Sequence, residues 1–324
     1  MISHLLVILP FWCGLPCQYN TLTCFSHKEL LSLPNQTIFS VMTIAVFGNS
    51  NKKNTLGEVA HILDFMDAHG VRVLLSQELR NEMNLRDRYA PYTHDTDEVI
   101  DFALSVGGDG TFLYSVSQVI DKNIPILGIN CGHLGFLTEV QTADNNSVCE
   151  QLIRNAYTIE QRALLHVVPS PNQEGENILA LNEVALMKQE LSSMITVEVW
   201  VNSQPLHAYK ADGLLVSTPT GSTAYNLSVG GPLMAPQTRA LIISPIATHS
   251  LNVRPLVIPD DWQIDLRVKS RSRNFLLSVD GRSRTLKEEV SLHIEKAAQT
   301  VKLVHTEEHS FFNSLRQKLF WGIE

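Results

Sequence analysis

The sequence predicts an α/β domain with an open parallel sheet, followed by a β-rich, sandwich-like domain. Two observations support this prediction. Buried-strand patterns alternate with helical patterns over residues 44–129, whereas alternating and β-branched segments dominate from Tyr157 onward. The length of 324 residues leaves room for a hydrophobic core in each domain. We place the two domains at residues 42–145 and 146–300, and we expect residues 301–324 to return to the first domain.

The first domain is predicted from a strand–helix–strand order, which favours parallel strands joined by right-handed crossovers. The predicted strands cover residues 44–47, 71–75, 102–106 and 124–129. Helical spacing of apolar residues predicts helices over 56–66, 112–120 and 148–155. The polar stretch 81–97 contains Pro91, so we expect it to be mostly irregular.

The second domain is predicted from short segments of strand-like composition. These segments are residues 164–168, 178–187, 195–201, 214–217, 241–243, 264–268, 275–279 and 290–294. Helical spacing returns over residues 310–321, and we expect this last helix to pack on the first domain. Four cations alternate with other residues and indicate the solvated face of a hairpin, with a local anion site as the alternative: Arg267, Lys269, Arg271 and Arg273.

The composition excludes several classes of protein. A hydrophobic fraction of 44% and a charged fraction of 18% are not those of a disordered chain. The 25 Lys and Arg residues are outnumbered by 33 Asp and Glu residues, which gives a net charge of -8. This charge argues against nucleic acid or an anionic membrane surface as a partner. Any phosphate ligand must therefore be held by local groups.

The first 41 residues differ in composition from the rest of the chain. Residues 4–22 are apolar but too interrupted to span a membrane. A secretory signal would require a Lys or Arg near its start, and none precedes Lys28. We expect residues 1–41 to be an extension upstream of a functional start at Met42. The five cysteines form no C-x-x-C pair, which favours a reducing compartment and predicts a cytoplasmic protein.

A glycine-rich loop joins the strand at 102–106 to the following helix. Its glycines allow backbone N–H groups to approach an anion at a helix N-terminus, so the loop is a predicted phosphate site: Gly107, Gly108, Gly110 and Thr111. The loop lacks the Lys of a P-loop and the third glycine of a G-x-G-x-x-G motif. Asp109 lies within it and could accept a proton, help to hold a phosphate-bound cation, or only cap the helix.

This loop resembles that of three kinase families, namely the NAD kinases, the diacylglycerol and sphingosine lipid kinases, and the phosphofructokinases. Further motifs resemble the NAD kinases in order and spacing. They are residues 130–138 (NCGHLGFLT), the pair Asn182–Glu183, residues 212–232, and Ser244-Pro245-Ile246 followed by Arg254-Pro255. The resemblance covers residues 42–321.

The resemblance implies an enzyme that transfers the γ-phosphoryl group of ATP to the 2'-hydroxyl of the adenosine ribose of NAD. It implies a Rossmann-like first domain, Asp109 as the catalytic residue, and a magnesium ion that arrives with ATP. It also implies a set of NAD-binding residues: Asp109, Gly110, Asn182, Glu183, Lys210, Asp212, Thr220, Thr223, Ala224, Tyr225, Asn226, Leu227 and Ser228.

Several of these residues have simpler interpretations. Asn182 and Glu183 could form a turn at a strand end, Lys210 could be solvated, and Tyr225 could belong to the core. Arg282 occupies a position where many relatives have Gln. Ser222 lacks the G-x-S-x-G frame of a hydrolase. Two histidines, His133 and His249, have no second ligand nearby in the sequence, so we expect no structural metal.

The expected partners are NAD and ATP, without nucleic acid or membrane. Exposed sheet edges also favour a homo-oligomer. Two rival functions stay open. A lipid kinase would need a membrane-binding surface, which liposome flotation detects. A non-catalytic dinucleotide-binding regulator would bind NAD in calorimetry without turning over ATP, although it would gain nothing from Asp109 beside phosphates.

Overall fold

The computed structural model describes residues 42–49, 53–132, 135–138, 140–141, 145–171, 177–190, 193–306 and 310–320. The predicted N-terminal extension, residues 1–41, and His133 lie outside these ranges. Within the described ranges, every helix is too short or too polar to cross a membrane.

The first part of the chain forms a parallel sheet with helices on both faces. Its strands are β1 (Thr43–Gly48), β2 (Arg72–Leu75), β3 (Ala90–Pro91), β4 (Phe102–Gly107), β5 (Ile126–Asn130) and β6 (Val140–Gln141). Its helices are α1 (Lys53–Ala68), α2 (Gln77–Glu82), α3 (Asp109–Val119) and α4 (Asn145–Ile153), and a short 3-10 helix follows α3 at Ile120–Lys122. The strands lie in the order β5-β4-β1-β2-β3, which confirms the predicted parallel sheet.

Alternate residues of β1 face opposite sides of this sheet. Ile44 and Val46 pack in a core cluster with residues of α1 and α4, whereas Ala45 and Phe47 pack in a second cluster with α3. A strand that is buried on both faces must be apolar throughout, which is why the sequence pattern is a continuous run. The sheet thus fixes the start of α3 at the carboxyl end of β4.

The second part of the chain is almost entirely β-structure. Its strands are β7 (Thr158–Ser170), β8 (Ile178–Ala180), β9 (Glu183–Lys188), β10 (Ile195–Val201), β11 (Gln204–Ala211), β12 (Gly213–Ser217), β13 (Ala240–Ile246), β14 (Leu256–Pro259), β15 (Ile264–Lys269), β16 (Asn274–Val279), β17 (Arg282–Lys287) and β18 (Ser291–His305). The remaining helical segments are a 3-10 helix at Thr220–Thr223, α5 (Tyr225–Ser228) and α6 (Phe311–Leu319).

These strands form the two layers of the predicted sandwich. One layer is a six-stranded sheet in the order β14-β13-β12-β9-β16-β17. The other contains β11-β10-β15-β18, and β18 also pairs in parallel with β5 at Leu303 and Ile126, so this layer continues into the first sheet. Val197 of one layer and Val184 and Leu214 of the other belong to one core cluster. The predicted fold class is therefore confirmed.

The structure differs from the sequence prediction at several elements. The segment predicted over 178–187 is divided into β8 and β9, because Leu181 and Asn182 between them turn toward Asp280. The strand predicted over 290–294 extends to His305. Strands β11 and β17 were not predicted, since they are largely exposed and lack an apolar face. The four alternating cations at 267–273 are exposed, as predicted, but they do not lie on a hairpin, because β15 pairs with β10 and β18 whereas β16 pairs with β9 and β17.

Candidate active site

The glycine loop lies where β4 ends and α3 begins. Gly107 ends β4 with φ of 155°, and a Cβ atom there would lie 2.5 Å from the Thr111 Oγ1 atom, so this position requires glycine. A Cβ atom at Gly108 or Gly110 would meet nothing within 4 Å among the described residues. The first backbone N–H groups of a helix have no partner within the helix. The loop therefore leaves open space for an anion at the start of α3.

Asp109 is the first residue of α3, but its carboxylate does not cap the helix. Gly108 occupies the N-cap position instead, so the helix-cap interpretation of Asp109 is wrong. The Oδ2 atom accepts a hydrogen bond from the backbone N–H of Phe136 at 2.9 Å. The Oδ1 atom accepts hydrogen bonds from the backbone N–H groups of Leu137 and Thr138, both at 3.2 Å, and from the Thr138 hydroxyl at 3.0 Å. Four donors thus fix one carboxylate.

The approach of residues 135–138 to Asp109 requires a glycine at position 135. A Cβ atom on Gly135 would lie 1.8 Å from Asp109 Oδ1 and 2.1 Å from Thr138 Oγ1. Neither distance is possible between non-bonded atoms. The motif at 130–138, which the sequence analysis singled out, therefore serves to hold the Asp109 carboxylate.

Helix α6 also reaches Asp109, as the predicted return of the last helix to the first domain requires. The Lys318 Nζ atom lies 3.8 Å from Asp109 Oδ2 and 4.4 Å from the centre of the Phe136 ring. The side chains of Lys318 and Asp109 are 22% and 33% exposed. The carboxylate is thus anchored on one side and still open to a ligand.

The pair Asn182–Glu183 lies at the start of β9 and is held by a second carboxylate, that of Asp280. Asp280 accepts hydrogen bonds from the backbone N–H groups of Leu181, Asn182 and Glu183 at 2.7, 2.8 and 3.1 Å. The pair is also tied to the following loop, because Thr218 donates its backbone N–H to the carbonyl of Asn182 at 2.9 Å. Asn182 and Glu183 therefore lie in a rigid turn at a strand end.

Both side chains of this pair keep an unpaired oxygen. Asn182 Oδ1 and Glu183 Oε2 are buried and have no hydrogen-bond partner among the described residues. Burial and the nearby Asp280 charge raise the pKa of Glu183 to about 7, and a hydrogen bond from the Tyr225 backbone partly opposes this. Buried acceptors without donors are costly in a folded protein, so such groups indicate a place where a ligand supplies the donors.

The loop after β12 supplies the remaining predicted NAD-binding residues. Asn226 is fully buried, and its side chain bonds internally to Ser222, Pro232 and Ser244. The Asn226 side chain therefore stabilises the conformation of the loop. Tyr225 is half-buried and packs against the apolar cluster of Ala185, Leu215 and Ile246. At least part of this side chain therefore belongs to the core, which was the simpler interpretation of Tyr225. The remaining members, Thr220, Thr223, Ala224, Leu227 and Ser228, belong to or adjoin the short helices at 220–228.

The side chains of Lys210 and Asp212 lie in different surroundings. The Lys210 side chain is exposed, whereas Asp212 is half-buried and forms an ion pair with Lys188 at 2.7 Å. Arg282 is exposed and lines a cavity of about 120 Å³ beside α3. Among the described residues, no group of three His, Cys, Asp or Glu side chains is arranged to bind a metal ion.

The core joins the Asp109 and Asn182 groups. Leu137, whose N–H binds Asp109, and Leu181, whose N–H binds Asp280, pack in the same apolar cluster as Phe112 of α3. One apolar cluster thus supports both loops.

Sequence reasoning missed five residues of this arrangement as site-forming groups: Phe136, Thr138, Lys188, Asp280 and Lys318. Phe136 and Thr138 lie in the motif at 130–138, and Asp280 lies two residues before Arg282. The sequence pattern thus marked these segments but did not reveal what the three side chains bind. Each role depends on a hydrogen bond or ion pair across at least 24 positions of the chain, which spacing alone does not reveal.

Comparisons with known proteins agree with this arrangement. Residues 44–157 match the model of the ATP-NAD kinase N-terminal domain, and residues 181–306 match that of the ATP-NAD kinase C-terminal domain. The NAD kinase of Bacteroides fragilis is 41% identical over 287 residues, which cover 87% of this chain and 99% of that protein. The NAD kinase of Flavobacterium psychrophilum is 38% identical, with 87% and 98% of the two chains covered.

Two solved structures share the fold. An NAD kinase from Archaeoglobus fulgidus in complex with ATP is 26% identical, with a TM-score of 0.67 and coverage of 86% of this chain and 99% of that one. Yeast NADH kinase complexed with NADH has a TM-score of 0.79 at 22% identity, with 88% and 89% covered. The lipid-kinase and regulator alternatives find no support in these matches. This chain, a phosphotransferase, belongs to the NAD kinase family.

Proposed function

We propose that this protein transfers the γ-phosphoryl group of ATP to the 2'-hydroxyl of the adenosine ribose of NAD and so produces NADP. The proposal is supported by relatives named NAD kinase that are about as long as the matched region and 38–41% identical to it. The observation that carries it is Asp109, an anchored and accessible carboxylate at a glycine-lined helix N-terminus. A site that only binds phosphate gains nothing from such a charge.

In the proposed reaction, Asp109 accepts the proton of the ribose 2'-hydroxyl. The hydroxyl oxygen attacks the γ-phosphorus, the bond from the γ-phosphorus to the β–γ bridging oxygen breaks, and ADP leaves with that oxygen. Backbone N–H groups of the glycine loop hold the donor phosphates, since nothing among the described residues fills the space at Gly108 and Gly110. Magnesium belongs to the donor substrate and offsets the charge of the triphosphate.

The dinucleotide would bind at the Asn182–Glu183 turn and the loop at 220–228. The unpaired oxygens of Asn182 and Glu183 are suited to accept hydrogen bonds from ribose hydroxyls. The shared core cluster beneath both loops would hold this acceptor site at a fixed position relative to Asp109. Asp212 and Lys210 remain proposed contacts of the nicotinamide half.

The deciding experiment combines the purified full chain with magnesium, ATP and NAD. NADP is then measured with an NADP-specific dehydrogenase, and NADH replaces NAD in a parallel sample. We expect NADP to accumulate only when both nucleotides are present. Absence of NADP from a folded protein that binds NAD in calorimetry would overturn the proposal in favour of a binding protein.

We further propose a cytoplasmic homo-oligomer. Neither of the two described cysteines, Cys131 and Cys149, is in a disulfide, which suits a reducing compartment. The exposed side chain of Leu206 lies on the edge strand β11. Leu206, Leu256 and Trp262 line one surface cavity. A second copy of the chain would cover this apolar edge. Analytical ultracentrifugation of the wild type and of Leu206→Glu tests this, since a monomeric wild type would contradict the proposal.

A further inference from the structure

The glycine loop carries no cation of its own. Its sequence from Gly107 to Thr111 contains one charged residue, which is the anion Asp109. A loop that binds a triphosphate benefits from a positive side chain, which a P-loop carries within its own sequence. Among the described residues, a cation that reaches Asp109 in this loop comes from the other end of the chain.

Helix α6 presents Lys318 to this loop. Leu315 is the buried residue of α6, and Lys318 lies one turn further along the same face. The Lys318 Nζ atom lies over the Phe136 ring at 4.4 Å and 3.8 Å from Asp109 Oδ2. The backbone N–H of Phe136 donates to that same oxygen at 2.9 Å, so the ring, the carboxylate and the ammonium form one cluster.

The ammonium group of Lys318 has unused hydrogen-bonding capacity. Its 3.8 Å separation from Asp109 exceeds hydrogen-bond length, and no acceptor among the described residues lies within that length. The side chain is only 22% exposed, and burial lowers the pKa of Lys318. A partly desolvated ammonium with three free donors gains from a second anion.

We propose that Lys318 binds the terminal phosphate of the donor triphosphate, so that the C-terminal helix forms part of the phosphate site. This inference rests on the proposed function. The lysine holds the phosphate beside Asp109, where the acceptor hydroxyl must also lie. Its ion pair with Asp109 keeps the ammonium aimed at the loop before the nucleotide arrives.

The test compares three variants of the full chain in steady-state assays. Lys318→Met removes the charge and keeps the length of the side chain, Lys318→Arg keeps the charge, and Arg316→Met removes an exposed charge from the same helix. We expect Lys318→Met to raise the KM for ATP about 10- to 100-fold, as loss of a charged hydrogen bond would. We expect the KM for NAD to change less than about threefold and Lys318→Arg to recover most of the loss.

A binding measurement separates this role from a structural one. Calorimetry with tripolyphosphate and with adenosine should show that Lys318→Met weakens tripolyphosphate binding and leaves adenosine binding unchanged. Equal losses of ATP and NAD affinity with a lowered Tm would overturn the inference and make Lys318 a packing residue. An unchanged KM for ATP in Lys318→Met would overturn it as well. The wild type must form NADP in the same assay, and failure of that control would instead count against the proposed function.

Discussion

Two aspartates of this chain hold a loop in the same way but lie in different surroundings. Asp109 and Asp280 each accept hydrogen bonds from three successive backbone N–H groups. The Asp109 side chain is 33% exposed and faces Lys318, whereas burial raises the pKa of Asp280. The proposed reaction needs a carboxylate beside the glycine loop, and of these two only Asp109 lies there, whereas Asp280 holds the turn at the start of β9. Its place beside the glycine loop, and not its hydrogen-bond pattern, thus makes Asp109 the proposed base.

The largest expected effect is that of Asp109→Asn. The amide removes the base and also replaces one of the two acceptor oxygens that hold residues 136–138, so kcat should fall about 100-fold or more. Initial rates of NADP formation measure this, and Tm confirms that the variant is folded. A variant with kcat within about threefold of the wild type would place Asp109 in the same positioning class as Asp280.

Gly135→Ala tests whether the anchoring of Asp109 matters. The new methyl group would overlap Asp109 Oδ1, which it would approach to 1.8 Å, so the carboxylate must move. A displacement of this size should lower kcat about 10- to 100-fold. The matched control is Gly132→Ala, because a Cβ atom at Gly132 meets nothing within 4 Å among the described residues. Equal activity of the two variants would show that the anchored position is not required.

Asp280→Asn should act on substrate binding more than on turnover. The amide nitrogen would replace one acceptor oxygen and leave a buried backbone N–H of residues 181–183 unpaired, at a cost of about 1–3 kcal/mol. We expect the KM for NAD to rise about tenfold, since 1.4 kcal/mol corresponds to a factor of ten, with kcat nearly unchanged. The control is Asp261→Asn, which removes an exposed charge. A loss in kcat without a change in KM would contradict the positioning role.

The last prediction concerns stability and not catalysis, namely the dependence of stability on pH through Glu183. The pKa of this carboxyl is raised from its ordinary 4.5 to about 7 in the folded protein, so folding takes up a proton between these pH values. The contribution of Glu183 to stability is therefore present below about pH 4.5 and is lost as the pH rises through about 7. Glu183→Gln should be more stable than the wild type at pH 8 by about 3 kcal/mol, at about 1.4 kcal/mol per pKa unit, and should show less advantage at pH 5. Urea unfolding at both pH values measures this. If the difference in unfolding free energy between the two proteins is the same at pH 5 and pH 8, the pKa of Glu183 is not raised.

The sequence predicted the parts of this molecule that depend on local patterns. Continuous apolar runs predicted β1 and β4, and alternation predicted β10 and β15, because burial on two faces or on one face leaves these different patterns. The glycine loop was found because its residues are adjacent. Helix α2 was missed, since its six residues bury only Leu79 and show no helical period.

The pairings that complete the site could not be predicted. Asp280 binds residues 98 and 99 positions earlier in the chain, and Lys318 meets Asp109 from the opposite end. Neither contact leaves a periodic signal, since each depends on how the strands and helices pack. The division of the segment at 178–187 into β8 and β9 follows from the same distant carboxylate.

The pairing of β18 with β5 must form late when the protein is synthesised from its N-terminus. Leu303 pairs with Ile126, and Lys318 follows Leu303 in the chain. On the ribosome the first sheet therefore forms while this edge of β5 is paired only with β6, at Ile129 and Asn130, and while Lys318 is not yet near the glycine loop. The phosphate site proposed above is thus completed only when translation is nearly finished.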